Sequence, residues 1–295
     1  MMKFGFIAII GPTNAGKSTF LNSIIGRKVS IVSHKVQTTR TRIRAVKMVD
    51  DAQLVFVDTP GIFRPARRLD RAMVSAAYSA FGEADATLLM IDATHGITKN
   101  VREIIERIKT LPNIFVALNK VDLVAKEKLL PIAAELNELA PFSEIFMISA
   151  LKDKGAEKML KSLASVLPDG QHMFPEVDAG DVPDALFLSE LTREKVYKYL
   201  HQELPYQIHV KTEKAEYDPE GVLEIFQTIL VAKDSQKRIV VGSGGSKLQQ
   251  IGTAARRDMQ EQWGVNARLN LFVKVDENWQ SDPETYESQG LEFKK

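Results

Sequence analysis

Eight residues near the amino end, Gly11-Pro12-Thr13-Asn14-Ala15-Gly16-Lys17-Ser18, spell G-x-x-x-x-G-K-S and follow directly on the apolar run 4–10. Glycine at both ends lets the backbone turn sharply, so that successive N–H groups converge on one point. A helix opening at Lys17 aims its positive end at the same point. A strand, this turn and a helix form a phosphate cradle, which commits the amino-terminal half to an α/β sheet with the loop at a strand's carboxyl end. The implied ligand is a nucleoside triphosphate. Lys17 neutralises β/γ-phosphate charge, and the amides from Ala15 to Thr19 hold the phosphates.

The rest of the first 167 residues supports that commitment. Strand-like runs at 4–10, 43–49, 53–57, 86–91, 114–118 and 145–148 alternate with helical patterns at 17–25, 70–81, 100–110, 125–139 and 156–167. Several strands are continuous Val/Ile/Leu/Phe runs, as expected when both faces are covered. The alternation predicts a doubly wound, mostly parallel sheet over 1–168. Pro168, Asp169, Gly170, Pro175, Gly180, Asp181 and Pro183 then punctuate a stretch without periodicity, so 169–184 reads as a linker. A second, α+β domain is expected over 185–275, followed by a polar tail at 276–295. Lys3 before seven mostly apolar residues has the outline of a short signal-peptide core, but the phosphate loop behind it makes a buried first strand and a cytoplasmic location the expectation.

Cysteine is absent from the 295 residues, which removes disulfides, thiolate metal sites and cysteine nucleophiles. No apolar stretch approaches the ~20 residues of a membrane-spanning helix. The net charge of +1 conceals a split. Residues 1–180 carry 24 Lys and Arg against 19 Asp and Glu, whereas 181–295 carry 15 against 19.

Three further constellations end apolar runs. Asp58-Thr59-Pro60-Gly61 places a carboxylate where it can reach Mg²⁺ through water, and the Gly61 N–H where it can meet a γ-phosphate. Asn119-Lys120-Val121-Asp122 offers a carboxylate able to accept the N1–H and 2-amino hydrogens of guanine; adenine has no such donor pair. An ATPase would need Asp122 to tolerate adenine. Ser149-Ala150 can present backbone to the guanine oxygen. Singly each is a common surface turn, but their order behind the phosphate loop resembles the translation-factor-related class of small GTPases. That resemblance implies Mg²⁺ held by Ser18, Thr39 and Asp58, with Thr39 in a switch segment around 33–40. The potassium-activated branch of the family adds a K⁺ role for Asn14 and a place for Thr38 beside the ion. Ile62 stands where Ras-like enzymes carry a water-orienting glutamine. Slow intrinsic hydrolysis is therefore expected, with Lys17, Asn14, Thr39 and Gly61 as the catalytic set. His34 and His95 have no partner at metal-ligand spacing.

In the second domain Gly242-Ser243-Gly244-Gly245 precedes a helix with core spacing at Leu248, Ile251, Ala255 and Met259. Between Lys233 and Lys274 there are eight basic residues against three acidic ones, a phosphate footprint inside an acidic domain. The glycine turn between helical segments resembles a type II KH domain, whose loop clamps unpaired RNA. Lys237, Arg238, Gly242, Ser243, Gly244, Gly245, Lys247, Arg256 and Arg257 are the candidate RNA contacts. The middle of this turn is Ser-Gly, where KH loops often carry a basic residue, so Arg238 or Lys247 would have to compensate.

A GTPase domain followed by such a module resembles the Era family of bacterial ribosome-assembly GTPases. The likeness includes Glu203-Leu204-Pro205-Tyr206, Ala255-Arg256-Arg257-Asp258-Met259, Leu271-Phe272-Val273-Lys274-Val275 and Trp279. Pro12-Thr13 departs from the usual Arg-Pro. The resemblance implies GTP and GDP as ligands and binding near the 3′ end of small-subunit ribosomal RNA in 30S maturation. It also implies peripheral inner-membrane contact, a monomer and no DNA partner. A scaffold that holds GTP only as a structural ligand is the alternative that the missing glutamine supports.

Overall fold

The computed structural model describes the chain except residues 34, 36–37, 39, 41–42, 64, 66–67, 80–81, 83, 176–178, 182–183, 288, 290 and 294–295. It forms two units, Met1–Ser30 with Thr39–Asp181 and Ile31–Thr38 with Val182–Lys295.

The first unit runs β1 (Lys3–Ile10), α1 (Lys17–Ile25), β2 (Ile43–Val49), β3 (Ala52–Asp58), α2 (Arg68–Ser79), β4 (Ala86–Asp92) and α3 (Lys99–Ile108). It continues with β5 (Ile114–Asn119), α4 (Lys126–Leu139), β6 (Glu144–Met147), α5 (Ala156–Val166) and β7 (Ala179–Asp181). Among the described residues the sheet order is β6-β5-β4-β1-β3-β2-β7, parallel except where β2 meets its two neighbours. Residues on alternate sides of the strands serve different layers. Ala8 and Ile10 of β1, Leu89 and Ile91 of β4, and Val116 and Leu118 of β5 pack with Val101, Ile104, Ile105 and Ile108 of α3. In α3 those four fall at i, i+3, i+4 and i+7, the spacing that gives a helix one apolar face. The Thr98 hydroxyl starts it, accepting the Val101 N–H at 3.3 Å. Register then aligns the carboxyl ends: Ile9 lies opposite Asp58, and Asp92 opposite Asn119.

The expected linker begins instead as a strap of this unit. Phe174 stacks on Phe4, and β7 adds to the sheet beside β2. Gln53, fully buried in β3, takes the Met173 and Phe174 N–H groups on Oε1 at 3.0 Å and donates Nε2 to the Phe174 carbonyl at 3.0 Å. Proline and glycine disrupt periodicity in the sequence, but a buried side-chain amide can satisfy an irregular backbone as a sheet would. The boundary therefore falls at residue 181, not 168.

The second unit comprises α6 (Asp184–Tyr199), β8 (Ile208–Tyr217), β9 (Leu223–Val231), α7 (Asp234–Val241), α8 (Ser246–Trp263), β10 (Ala267–Val275) and α9 (Pro283–Glu287). Its sheet, in the order β10-β9-β8, pairs β8 antiparallel and β10 parallel to β9. β9 alternates buried and half-buried residues along its whole length, the mark of a sheet with one covered face. Ile225 packs with α6 and α8, and Ile229 and Val231 pack with Val196, Val240 and Ile251.

The segment 276–287 is not a free polar tail. Trp279 is fully buried and stacks on His209 at 5.9 Å, and the Tyr286 hydroxyl donates to the Gln280 carbonyl at 2.9 Å. α6 is unusual in burying Glu190, Arg193, Glu194 and Lys195 together. Arg193 pairs with Glu190, and Lys195 pairs with Glu194 and Asp258. Ile31, Val32, Lys35 and Thr38 make contacts with this helix and the residue after it. Ile31 joins Phe187, Leu188 and Leu191 in one apolar cluster, and the Val32 N–H donates to Glu194 Oε1 at 2.9 Å. Lys35 Nζ donates to the Leu200 carbonyl and Arg193 Nη2 to the Thr38 carbonyl.

Candidate nucleotide and nucleic-acid sites

The Gly11–Ser18 turn lies between β1 and α1 as its spelling demands. Gly16 caps α1 at φ 94°, and a Cβ there would stand 2.2 Å from Asn119 Nδ2, so both conformation and space require glycine. Asn14 adopts φ 63°, which asparagine tolerates better than most residues, and is exposed. No acidic side chain occupies the first turn of α1, leaving the helix's positive end for an anion. Lys17 is buried and donates to the Gly11 and Pro12 carbonyls at 3.1 and 2.9 Å. Burial pushes its ammonium down to about 8, against the pull of Asp58.

Asp58 is fully buried. Its Oδ2 accepts the Ser18 hydroxyl at 2.9 Å and, more loosely, the Ser30 hydroxyl at 3.4 Å. Its Oδ1 is buried without a hydrogen-bond partner among the described residues. Burial pushes this carboxyl up, with Lys17, Ser18 and Ser30 countering. A serine hydroxyl beside a carboxylate with a spare oxygen fits a hydrated Mg²⁺, a hard cation that takes oxygen ligands and keeps several waters. Gly61 lies against the phosphate loop, since a Cβ on it would be 2.8 Å from Thr13 Cγ2.

Other expected contacts are used differently. Thr59 turns its hydroxyl inward, donating to the Ile9 carbonyl at 2.9 Å, so its side chain staples β3 to β1. Pro60 is buried. Ile62 packs into the apolar core beneath α3, its N–H bonded to the Gly11 carbonyl and its own carbonyl held by Asn100 Nδ2 at 3.0 Å. Neither the chemistry nor the direction of that side chain can align a water. Thr38 belongs to the second unit, where its hydroxyl donates to the Lys35 carbonyl at 2.7 Å. Thr39 lies outside the described residues.

At the base site Asp122 is the carboxylate in position. Its Oδ1 accepts the Ser149 hydroxyl at 2.7 Å, and Lys152 stands 3.4 Å from Oδ2. The Ser149 hydroxyl first, and Lys152 with it, hold Asp122 below the usual carboxylate range, so it is an acceptor at neutral pH. Asn119 is nearly fully buried between two loops. Its Nδ2 donates to the Ala15 carbonyl at 2.9 Å and its Oδ1 accepts the Ala150 N–H at 2.9 Å, tying phosphate loop to base loop. Val121 turns its side chain into the core and gives its N–H to the Ile148 carbonyl.

Sequence reading passed over Asn22, Ser30 and Asp92. Asn22 Oδ1 accepts the Val29 and Ser30 N–H groups at 2.8 and 2.9 Å, closing the turn after α1. Asp92 ends an apolar run just as Asp58 does, and that signal could have found it. It receives Lys120 Nζ at 2.6 Å; burial alone would push its carboxyl up, but Lys120 and Thr94 hold it below its usual range.

In the second unit Gly242, Gly244 and Gly245 all have positive φ and join α7 to α8. Lys237, Arg238, Arg256 and Arg257 are exposed and Ser243 is at the turn's tip, whereas Lys247 is half-buried beneath Gly242. Lys247 and Arg257 line an open pocket of about 560 Å³ with Tyr199, Gln249, Gln250 and Thr253. Arg268, counted in the basic patch, is paired with Glu224.

A phosphate loop, a cation-ready carboxylate and a guanine-directed carboxylate define a P-loop GTPase, here joined to a nucleic-acid-binding glycine-turn module. Residues 6–120 match the family model described as a 50S ribosome-binding GTPase, and 203–280 match the KH domain. The chain is 50% identical over 293 residues to the GTPase Era of Sinorhizobium medicae, covering 99% of this chain and 94% of that protein. It is likewise 50% identical over 290 residues to that of Mesorhizobium japonicum, covering 98% and 94%. A crystal structure of Era with MgGDPNP and nucleotides 1506–1542 of 16S ribosomal RNA superposes with TM-score 0.93 at 37% identity, covering 98% of this chain and 99% of that one. An Aquifex aeolicus Era variant bound to GDP·AlF₄⁻ gives TM-score 0.92 at 37% identity, with the same coverage. The chain belongs to the Era family of GTPases. It hydrolyses GTP with Mg²⁺ as cofactor, so GTP is more than a structural ligand.

Proposed function

We propose that this chain binds the 3′ end of small-subunit ribosomal RNA through its glycine turn and uses slow GTP hydrolysis to time its stay there during 30S maturation. The observation that carries the reading is the Gly242–Gly245 turn, three glycines of positive φ beside exposed Arg238, within a chain that matches the RNA-bound Era structure over 98% of its length. A turn of small residues admits a sugar-phosphate backbone closely, and the start of α8 supplies N–H groups to it.

In the first unit Lys17 and the amides of Ala15 to Thr19 hold the triphosphate, and Asp122 selects guanine. Mg²⁺, held by Ser18 and through water by Asp58, neutralises charge on the β- and γ-phosphate oxygens when bound. Thr39 completes that set by family resemblance. With Ile62 buried, we assign the remaining neutralisation of developing charge to K⁺ at Asn14. Family resemblance alone carries a monomer in the cytoplasm with peripheral inner-membrane contact, which vesicle co-sedimentation would test.

The test is fluorescence anisotropy of a labelled RNA with the sequence 1506–1542, the protein being loaded with GDPNP. Binding about tenfold tighter than to a scrambled RNA is expected; equal binding overturns the RNA reading. Phosphate release in K⁺ is expected to exceed that in Na⁺ several-fold, and equal rates remove the role given to Asn14.

A further inference from the structure

The end of β4 holds a carboxylate that none of the nucleotide motifs includes. Asp92 lies opposite Asn119 in the sheet register. Its Oδ1 accepts the Thr94 N–H at 2.9 Å and the Thr94 hydroxyl at 2.6 Å. Its Oδ2 accepts Lys120 Nζ at 2.6 Å, with His95 Nδ1 3.2 Å away. The backbones are tied as well, the Ala93 N–H donating to the Asn119 carbonyl at 2.9 Å.

Lys120 is thus fixed at both ends, its backbone at φ 64° and its ammonium on Asp92. A lysine loses much rotamer freedom when it is pinned, so an ion pair formed beforehand removes that cost from nucleotide binding. Position matters equally. Asp122 lies two residues along the same turn and already has Lys152 3.4 Å from one oxygen. A released Lys120 ammonium would be a second cation competing for the carboxylate that guanine must reach.

We infer that Asp92 is a positioning residue of the nucleotide site: by holding Lys120 at the end of β4 it keeps Asp122 open to the guanine edge and orders the turn before nucleotide arrives. Asp92 does not touch the nucleotide in this role; it acts through Lys120. The inference rests on reading 119–122 as the guanine contact.

Asp92→Asn retains an acceptor for the Thr94 N–H and deletes the charge that binds Lys120. Fluorescent GDP should bind this variant about tenfold more weakly, the loss of one charge-assisted hydrogen bond. In steady state KM for GTP should rise correspondingly with kcat retained. Asp92→Glu should recover most of the affinity. In a Lys120→Met background, adding Asp92→Asn should weaken binding no further. Wild-type affinity in Asp92→Asn overturns the inference, as does an undiminished tenfold loss in the Lys120→Met background. Thermal melts run alongside separate unfolding from site loss, since a folded variant retains the wild-type transition. Competition of GDP against ADP on the wild-type protein tests the underlying reading. Equal affinities remove the guanine assignment itself, whereas a clear preference for GDP with an unaffected Asp92→Asn removes only the role of Asp92.

Discussion

Asn119 donates its side-chain amide to the carbonyl of Ala15 at 2.9 Å, which makes the guanine motif a brace for the phosphate loop. Its other amide atom receives the Ala150 N–H, so one buried side chain sets the spacing between three loops. Asn119→Ala leaves a buried carbonyl and a buried N–H without partners, each worth about 1–3 kcal/mol. GDP affinity should fall on the order of a hundredfold, mainly through faster release, as measured by stopped-flow dissociation of a fluorescent GDP. Unchanged release would show that the brace is idle.

Lys17 gives the site a pH dependence of definite sign. Burial holds the ammonium near pKa about 8 in the protein alone, and bound phosphates can only raise it. Binding therefore favours the protonated lysine: affinity is intact below the lower pKa and weakens as pH rises through it. Between pH 7 and 8.5 the GDP dissociation constant should rise about fourfold, with proton uptake visible in calorimetry as buffer-dependent heat. The nucleotide-free fold should change the opposite way. Its stability rises with pH above about 8, because the unfolded chain keeps this proton longer.

Glu190 and Arg193 form an ion pair buried within α6, and Arg193 also holds the Thr38 carbonyl. Arg193→Ala leaves Glu190 charged and unpartnered in the interior, a loss of about 3–5 kcal/mol, whereas Glu190→Leu with Arg193→Met should lose much less. Denaturant melts of the single and double variants check this. Hydrogen exchange supplies a second reading. Glu194→Ala should expose the Val32 amide, which now donates to Glu194.

Much of this was legible in the sequence because strong local rules agreed. The helix 17–25 and the strand 43–49 lie where periodicity put them. The misreadings have one physical origin, which is tertiary contact overriding local character. The strap after Pro168 lacks periodicity because Gln53 and Phe4 order it from a distance. The segment 276–287 is polar along its length, yet Trp279 and Tyr286 bury themselves against β8 and their own turn. The Asp58–Gly61 motif suggests a ligand contact for Thr59, and only geometry shows its hydroxyl turned inward onto Ile9.

Gly242 and Gly244 separate space from conformation within one turn. Both have positive φ, but a Cβ on Gly242 would stand 2.7 Å from Lys247 Cβ, while one on Gly244 would meet nothing within 4 Å. Gly242→Ala should therefore distort the seat of α8, lowering stability by about 1–3 kcal/mol together with RNA affinity. Gly244→Ala carries only the backbone strain of about 1 kcal/mol, and its methyl projects where a sugar-phosphate backbone would lie. RNA affinity should fall at least tenfold in Gly244→Ala with the melting temperature nearly kept. A Gly244→Ala protein that binds the 1506–1542 RNA like wild type would move the contact off this turn and onto the pocket between Tyr199 and Arg257.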